Sequence, residues 1–252
     1  MLVSNLAVHL ATLGRRVLVL DGDLSLANVD LLLGLVPKYN LNDVVEGRKR
    51  LDEIVLEGPQ GIRLIPAASG IEELAELDDY RREILIRSLE RLGSSADILL
   101  IDTGSGIHRQ NMRLAQVADE IFVVATPEPT AFSDAYATIK VLAGRRLAAT
   151  PKLLINMASD GTEARRTAER ISRVSRRFLG FEAPMVGFVP RDEAVERAVR
   201  RQEPFVLSSP ECAAARALGL IADWILGGTP EPEAGQRSNA GSDLRSRTEA
   251  AA

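Results

Sequence analysis

The stretch ADILLIDTGSGI, Ala96–Ile107, joins an apolar run to a carboxylate and a loop of small residues. The apolar run, Ile98–Ile101, has no polar side chain to face water, which is typical of a central strand buried on both faces of a parallel sheet. Asp102 follows at the carboxyl end of this strand, and Thr103–Gly106 continues as a flexible loop. Open α/β sheets place their ligands at this end of their strands, so we expect a ligand site beside Asp102.

Asp102 has two interpretations at this point. The order of strand, acid and Gly-containing loop is that of a Walker B acid, which holds a phosphate-bound Mg²⁺ directly or through water, followed by a loop that senses the terminal phosphate. Alternatively, Asp102 only caps the helix that follows. A second stretch of the same form favours the metal site, because the segment Arg16–Leu20, apolar from Val17 onward, also ends in acids, at Asp21 and Asp23.

The composition is that of a globular protein with one large domain. The chain has 252 residues, of which 46% are hydrophobic and 26% charged, and its net charge of -4 gives no electrostatic reason to bind nucleic acid tightly. The arginine pairs at 165–166 and 200–201 are interpreted as solvated helix faces. One cysteine, Cys212, permits no internal disulfide, and with two histidines it gives no metal-ligand spacing. These features predict a reducing, cytoplasmic location.

The two ends of the chain have different characters. Met1–Ala11 is apolar but lacks a basic leader, so we interpret it as a helix of the fold rather than a secretory signal. No segment has the roughly 18 uninterrupted apolar residues that span a bilayer. After Gly227 the sequence loses its periodicity and becomes rich in Gly, Pro, Ser and Glu, which predicts a domain over 1–227 and a disordered polar tail over 228–252.

Apolar runs and amphipathic segments alternate along the domain, which predicts an α/β fold with a doubly wound, mostly parallel sheet. The chain opens on a helix that leads directly into a strand, and we therefore expect the fold's first strand and turn to be missing. The predicted strands are 17–21, 62–66, 98–101, 120–126, 152–156 and 185–189. The predicted helices are 2–13, 29–35, 41–46, 78–92, 108–118, 130–146, 162–178, 193–200 and 212–226.

Five blocks of the sequence, in order, resemble the MinD/ParA family of deviant Walker A P-loop ATPases, and most nearly its flagellar-number branch, the FlhG/FleN/YlxH proteins. The resemblance extends from Met1 to about Gly227. It implies a P-loop NTPase-like fold with ATP and Mg²⁺ as cofactors. The blocks are VLVLDGDLSLANVDLLLGL (17–35), ILLIDTGSGI (98–107), VVATPEPTAFSDAYATIK (123–140), LLINMAS (153–159) and FVPRDEAVERAVRRQEPFV (188–206).

The first two blocks supply the acids that the resemblance assigns to the metal and the phosphates. Asp23 matches the catalytic acid that orients the attacking water, and Asp21 matches its neighbour near the metal and phosphates. Asp102 matches the Walker B acid that binds the metal. Asn28 falls in the first switch segment and Gly106 in the second, where its N–H would face the γ-phosphate. Asn28 has an alternative role as a helix N-cap.

The later blocks supply residues that the resemblance places around the adenine. Asn156 matches the strand-end residue that contacts the adenine edge, since an amide offers both a donor and an acceptor. Pro190 and Asp192 match the start of the segment that lies against the base. Asn156 has an alternative role as a turn residue, and Pro190 as a loop former.

The family's phosphate-binding loop is the main departure from the resemblance. This Gly-rich turn, with two lysines and a Ser/Thr, precedes the helix that here begins at Met1, and the sequence contains no such loop. Positioning and charge neutralisation account for most of phosphoryl-transfer catalysis, so we expect the chain as it stands to bind ATP poorly and hydrolyse it hardly at all. Two explanations stay open: a start codon upstream of Met1, or a paralogue that has lost the loop.

The resemblance implies an ATP-dependent dimeric switch that governs flagellar number or placement. A homodimer is expected in the ATP-bound state, and a flagellar regulator or a signal-recognition-type GTPase is the expected partner. The alternatives are a non-catalytic partner-binding paralogue and a partition ATPase of the ParA type. The last apolar helix, Ala213–Leu226, is expected to belong to the domain, so membrane docking is unsupported at the C-terminal end. A peripheral position at the inner face of the plasma membrane stays open as an alternative to a purely cytoplasmic location.

Overall fold

A computed structural model describes residues 1–23, 27–67, 87–89, 91–145, 147 and 149–227. The tail predicted over 228–252 lies outside these residues, as does most of the helix predicted over 78–92. The remaining predicted helices and strands fall within the described ranges and can be compared with the structure directly.

The described chain alternates between helices and strands. The strands are β1 (Val17–Asp21), β2 (Leu56–Glu57), β3 (Arg63–Ile65), β4 (Ile98–Asp102), β5 (Phe122–Ala125), β6 (Lys152–Ala158) and β7 (Met185–Pro190). The helices are α1 (Leu2–Thr12), α2 (Val29–Leu32), α3 (Leu41–Val45), α4 (Arg109–Val117), α5 (Pro129–Ala143), α6 (Gly161–Leu179), α7 (Glu193–Arg201), α8 (Phe205–Ser208) and α9 (Ala213–Ile225). Short 3₁₀ turns lie at Leu51–Glu53 and Pro59–Gly61.

The strands form two sheets. The first has the order β2-β3-β1-β4 and the second the order β5-β6-β7. Every strand pair is parallel except β2 with β3, which is antiparallel. The predicted α/β class with mostly parallel strands is therefore confirmed, and the strands are divided between two sheets rather than joined in one.

Strand β4 does not occupy the central, fully buried position predicted for it. It pairs with β1 alone among the described strands, so it ends its sheet, and the side chain of Leu99 is 39% exposed. Strand β5 ends the second sheet in the same way, with Val124 48% exposed. The apolar run correctly indicated a strand, but a run of this kind does not show how many neighbours the strand has.

Helices α1 and α9 connect the two sheets through a shared core. Leu10 of α1 and Leu218 of α9 lie in one hydrophobic cluster with Val19 of β1, Leu154 of β6 and Val189 of β7. All five side chains are 5% exposed or less. Helix α9 is thus part of the domain, as predicted. No helix within the described ranges is long and apolar enough to cross a membrane.

Candidate functional site

Asp21 and Asp102 end neighbouring strands at the same edge of the first sheet. They are paired in register on the parallel strands β1 and β4, so both side chains follow the carboxyl ends of their strands. The pairing continues one residue further, because the N–H of Gly22 donates to the carbonyl oxygen of Asp102 at 2.6 Å. A Cβ atom on Gly22 would lie 2.6 Å from that same oxygen, so only glycine permits this close approach.

The carboxylate of Asp21 is buried and holds the start of α2 against the strand end. It is 2% exposed and accepts hydrogen bonds from the N–H groups of Asp23 at 3.2 Å, Asn28 at 3.1 Å and Val29 at 3.1 Å. Burial raises the pKa of Asp21 to about 6; the three N–H groups oppose this shift, and the charge of Asp102 adds to it. Asp21 therefore organises the acidic edge and is itself easily protonated.

Asp102 and Asp23 complete a group of three carboxylates that we call the acidic edge: Asp21, Asp23 and Asp102. Burial raises the pKa of Asp102, the amino group of Met1 lowers it, and the charge of Asp23 raises it further. Asp23 is half-buried, and its carboxylate lies against the loop after β4, where a Cβ on Gly104 would be 2.7 Å from its Oδ1. The structure thus brings together the three acids that the sequence analysis singled out.

The loop after β4 is held in place by a residue that the sequence analysis did not identify. The side-chain amide of Asn111, in α4, donates to the carbonyl oxygens of Gly104 at 2.8 Å and Gly106 at 3.2 Å. Gly106 has φ +92, in the left-handed region that favours glycine. No sequence pattern indicates that an asparagine in the first turns of a helix contacts the preceding loop. For the close approach of Gly22 to Asp102, the only signal in the sequence is a glycine between two acids.

Helix α1 begins beside the acidic edge. Burial lowers the pKa of the Met1 amino group, while the charges of Asp102 and Asp21 raise it, so these groups are close enough to interact. The N-terminal end of a helix has a partial positive charge and favours anions. The edge therefore combines three carboxylates with the positive end of a helix.

Asn28 lies next to the acidic edge at the N-cap position of α2. Its backbone N–H donates to Asp21, but its side chain is exposed and forms no capping hydrogen bond. Asn28 therefore occupies the N-cap position, but its side chain does not cap the helix. Its predicted role in a switch segment stays a prediction.

Asn156 and Pro190 lie at the carboxyl ends of β6 and β7 in the second sheet. Asn156 is half-buried and pairs with Val189, and the ladder then shifts register at Met157, which has φ +58. No hydrogen bond within the described part of the chain engages the Asn156 carboxamide. Within the described residues no hydrogen bond or ion pair joins Asn156 or Pro190 to the acidic edge, and their predicted adenine contacts stay predictions.

Asp192 connects two helices. Its carboxylate accepts the N–H of Ala194 at 2.9 Å, as the N-cap of α7, and the N–H of Ala214 at 3.2 Å, at the start of α9. Burial raises the pKa of Asp192, but these hydrogen bonds outweigh burial and the pKa is lowered. The visible role of Asp192 is therefore structural, and the predicted contact with a base is untested.

The acidic edge suits Mg²⁺ in the manner of nucleotide sites. Within the described residues no three His, Cys, Asp or Glu side chains are close enough to hold a metal ion by themselves. Mg²⁺ in nucleotide sites is held by one or two carboxylates, with phosphate oxygens and water completing its octahedral shell. The carboxylate of Asp102, at the end of its strand, can supply such a donor, and Asp21 and Asp23 lie beside it.

Comparison with known proteins identifies the family. The family model described as "Cellulose biosynthesis protein BcsQ" matches residues 1–226. The antiactivator FleN of Pseudomonas aeruginosa is 39% identical over 221 residues, which are 88% of this chain and 79% of FleN. The flagellum site-determining protein YlxH of Helicobacter pylori is 30% identical over 224 residues, which are 88% of this chain and 76% of YlxH.

A solved structure with the same fold binds a nucleotide. The septum site-determining protein MinD from Pyrococcus horikoshii, in complex with Mg-ADP, superimposes with a TM-score of 0.71 at 25% identity, and the match covers 90% of both chains. The fold is thus the MinD-like P-loop NTPase fold. The chain therefore belongs to the BcsQ/MinD/ParA family, with the flagellar proteins FleN and YlxH among its relatives.

Proposed function

We propose that the protein is an ATP-dependent switch that governs flagellar number or placement. The main support is the convergence of Asp21, Asp23 and Asp102 at one sheet edge in a chain whose relatives include FleN and YlxH. The MinD relative with bound Mg-ADP supports ATP and Mg²⁺ as the cofactors. We also propose a cytoplasmic location.

The three carboxylates have different roles in this proposal. Asp102 would hold Mg²⁺, which when bound offsets the negative charge of the phosphates. Asp23, half-buried beside the Gly104 loop, orients the attacking water. Asp21 fixes Asp23 and the start of α2 through its three N–H contacts. The loop after β4, which Asn111 holds, connects the proposed γ-phosphate position with the surface of the protein, so a change at the phosphate would change the loop's exposed face.

ATP hydrolysis by the natural gene product, with any residues encoded upstream of Met1, tests the role of Asp23. The Asp23→Ala variant should lose at least about a hundredfold in phosphate release, the scale of a missing positioned acid or base. Asp134→Ala is the matched control, because Asp134 is exposed on α5 and has no part in the proposed nucleotide site. Equal turnover in the Asp23→Ala variant and the control would remove Asp23 from the mechanism.

The same variant tests the proposed dimer. Hydrolysis is what ends the ATP-bound state in this proposal, so Asp23→Ala should accumulate as a homodimer in ATP and stay monomeric in ADP. Analytical ultracentrifugation in each nucleotide measures this directly. A monomer in both nucleotides would contradict the proposed dimeric switch.

We further propose that the 252-residue chain binds nucleotide only weakly. Within the described residues, the positive charge that interacts with Asp21 and Asp102 is the amino group of Met1, set against three carboxylates. A triphosphate adds negative charge to this edge, and Mg²⁺ offsets only part of it. Calorimetry of the 252-residue chain with Mg-ATP should therefore detect no binding, and a micromolar affinity would contradict this charge argument.

A second candidate is a non-catalytic protein that presents the same surface to a partner. The partner would be a flagellar regulator or a signal-recognition-type GTPase, in line with the description of FleN as an antiactivator. Absence of hydrolysis in the natural gene product, together with unchanged partner binding in Asp23→Ala, would favour this candidate. A ParA-type partition ATPase has less support, because the net charge is -4.

A further inference from the structure

Helix α6 presents a row of like charges on its exposed face. Arg166, Arg170, Arg173 and Arg177 follow the spacing i, i+4, i+7 and i+11, which aligns them along one side of the helix over roughly 16 Å. We call these four residues the arginine row. All four side chains are exposed.

The arginine row has little charge compensation within the described chain. None of its four members forms a salt bridge there, although Glu169 lies between them on the same helix. The pKa of Asp160, the N-cap residue of α6, is lowered chiefly by hydrogen bonds from the N–H groups of Glu163 and Thr162, and the charge of Arg166 lowers it further. Like charges at these spacings repel each other, so the row destabilises an isolated helix. Four exposed guanidinium groups in line, with Asp160 and Glu169 as nearby opposite charges, can therefore pair with carboxylates at matching intervals on a partner.

Aromatic rings hold two members of the row. The guanidinium of Arg170 lies 5.3 Å from the ring centre of Phe132 on α5, and that of Arg177 lies 5.3 Å from the ring centre of Phe178. Phe178 is itself 65% exposed. Stacked guanidinium groups lose less conformational freedom when they bind, and exposed aromatic rings with arginine are typical of protein–protein interfaces.

A groove of about 330 Å³ runs beside the row, between α6 and the start of β7. Ala168, Pro184 and Met185 give it apolar surface, and Arg173 belongs both to the groove and to the row. The Ser172 hydroxyl donates to the carbonyl of Ala183 at 2.6 Å, which fixes the two walls relative to each other. A ligand here meets apolar surface together with three arginines and two glutamates, and one of these glutamates, Glu182, is paired with Arg176.

We propose that the groove and the arginine row bind an acidic amphipathic helix of a partner protein. Such a helix places carboxylates at i, i+4, i+7 and i+11 opposite the row and apolar side chains in the groove. A polyphosphate backbone fits less well, because it has no apolar face to place against Pro184 and Met185 in the groove. Binding to an anionic bilayer is one of the outcomes that the test below distinguishes. The site lies on α6, outside the nucleotide residues, and does not depend on the proposed ATPase activity.

Fluorescence anisotropy with a fluorescein-labelled synthetic peptide tests this proposal. The probe is an amphipathic helix with glutamates at i, i+4, i+7 and i+11 and leucines on the adjacent face, together with a version in which glutamines replace the glutamates. The double variant R166Q/R173Q should bind the glutamate peptide about tenfold more weakly, since each exposed ion pair contributes up to about fivefold. The control R15Q/R200Q removes the same net charge from exposed arginines outside α6 and should bind as the natural protein does.

Competing ligands complete the test. Saturable binding of the glutamate peptide that R166Q/R173Q weakens and R15Q/R200Q preserves would support the proposal. Equal weakening in both double variants would overturn it, because that result indicates only net charge. Equal binding of the glutamine peptide, or tighter binding of duplex DNA or phosphatidylglycerol vesicles through the same row, would overturn it as well. Far-UV circular dichroism confirms that both double variants are folded.

Discussion

Replacement of Asp21 by asparagine should change how the stability of the protein depends on pH. The folded-state pKa of Asp21 is raised from 3.8 to about 6, chiefly by burial, so between these values the folded protein binds more protons than the unfolded chain. The free energy of unfolding of the natural protein therefore falls as pH rises from about 4 to above 6. Asparagine does not titrate, so the variant lacks this contribution.

The size of the effect follows from the two pKa values. For one carboxyl group with these values, linkage gives a loss of about 2.5 kcal/mol between pH 4 and pH 8. In the natural protein, three backbone N–H groups donate to the Asp21 carboxylate. The side-chain NH₂ of asparagine cannot accept from them, so Asp21→Asn lowers the free energy of unfolding by about 1–3 kcal/mol for each donor left unpaired. That cost does not depend on pH, so it cancels when the difference between variant and natural protein is compared at the two pH values.

Urea unfolding followed by circular dichroism at pH 4 and pH 8 measures this double difference. Relative to the natural protein, Asp21→Asn should gain about 2.5 kcal/mol of stability on going from pH 4 to pH 8. A change below about 1 kcal/mol, or one of the opposite sign, would show that Asp21 is not a buried carboxylate with a raised pKa. It would also weaken the case that Asp21 organises the acidic edge.

Three other substitutions give distinct outcomes. Gly22→Ala should destabilise the protein by about 2 kcal/mol or more in urea unfolding, because the added Cβ would lie 2.6 Å from the Asp102 carbonyl oxygen. An unchanged free energy of unfolding would show that β1 and β4 separate easily. Asp97→Asn should raise the pH midpoint of acid unfolding, because hydrogen bonds from Arg16 lower the pKa of Asp97 to about 2. The stabilising contribution of Asp97 is present above pH 3.8 and is lost as the pH falls toward 2, and the variant lacks it throughout. An unchanged midpoint would contradict this. In the natural gene product, Asp192→Ala should lower the melting temperature through a loss of about 2 kcal/mol while the affinity for nucleotide stays unchanged. A selective loss of affinity would instead support the predicted contact of Asp192 with the base.

The position of the acidic edge was predictable because strand direction determines it. The apolar runs before Asp21 and Asp102 indicate strands, and parallel strands bring their carboxyl ends to one edge. The register that sets these two residues side by side is a property of the folded sheet, and no spacing in the sequence reveals it. The family resemblance gave the chemical roles, which the geometry accommodates without testing them.

Contacts between residues distant in the sequence were beyond prediction. Asp192 accepts an N–H from Ala214, at the start of a helix two elements later, and only the packing of α9 brings them together. Asn111 reaches two carbonyl groups of the preceding loop, which requires the folded turn. Strand β2 and helix α8 are too short for any periodic pattern to reveal them.

The measurement that tests the central claim most directly is a crystal structure of the natural gene product with Mn²⁺·ADP, with Mn²⁺ located by its anomalous scattering. We expect the Mn²⁺ peak beside the Asp102 carboxylate, in direct contact or through one water, and its loss in Asp102→Asn crystals grown in the same way. An ordered nucleotide whose metal lies away from Asp21, Asp23 and Asp102 would contradict the assignment of the acidic edge as the nucleotide site.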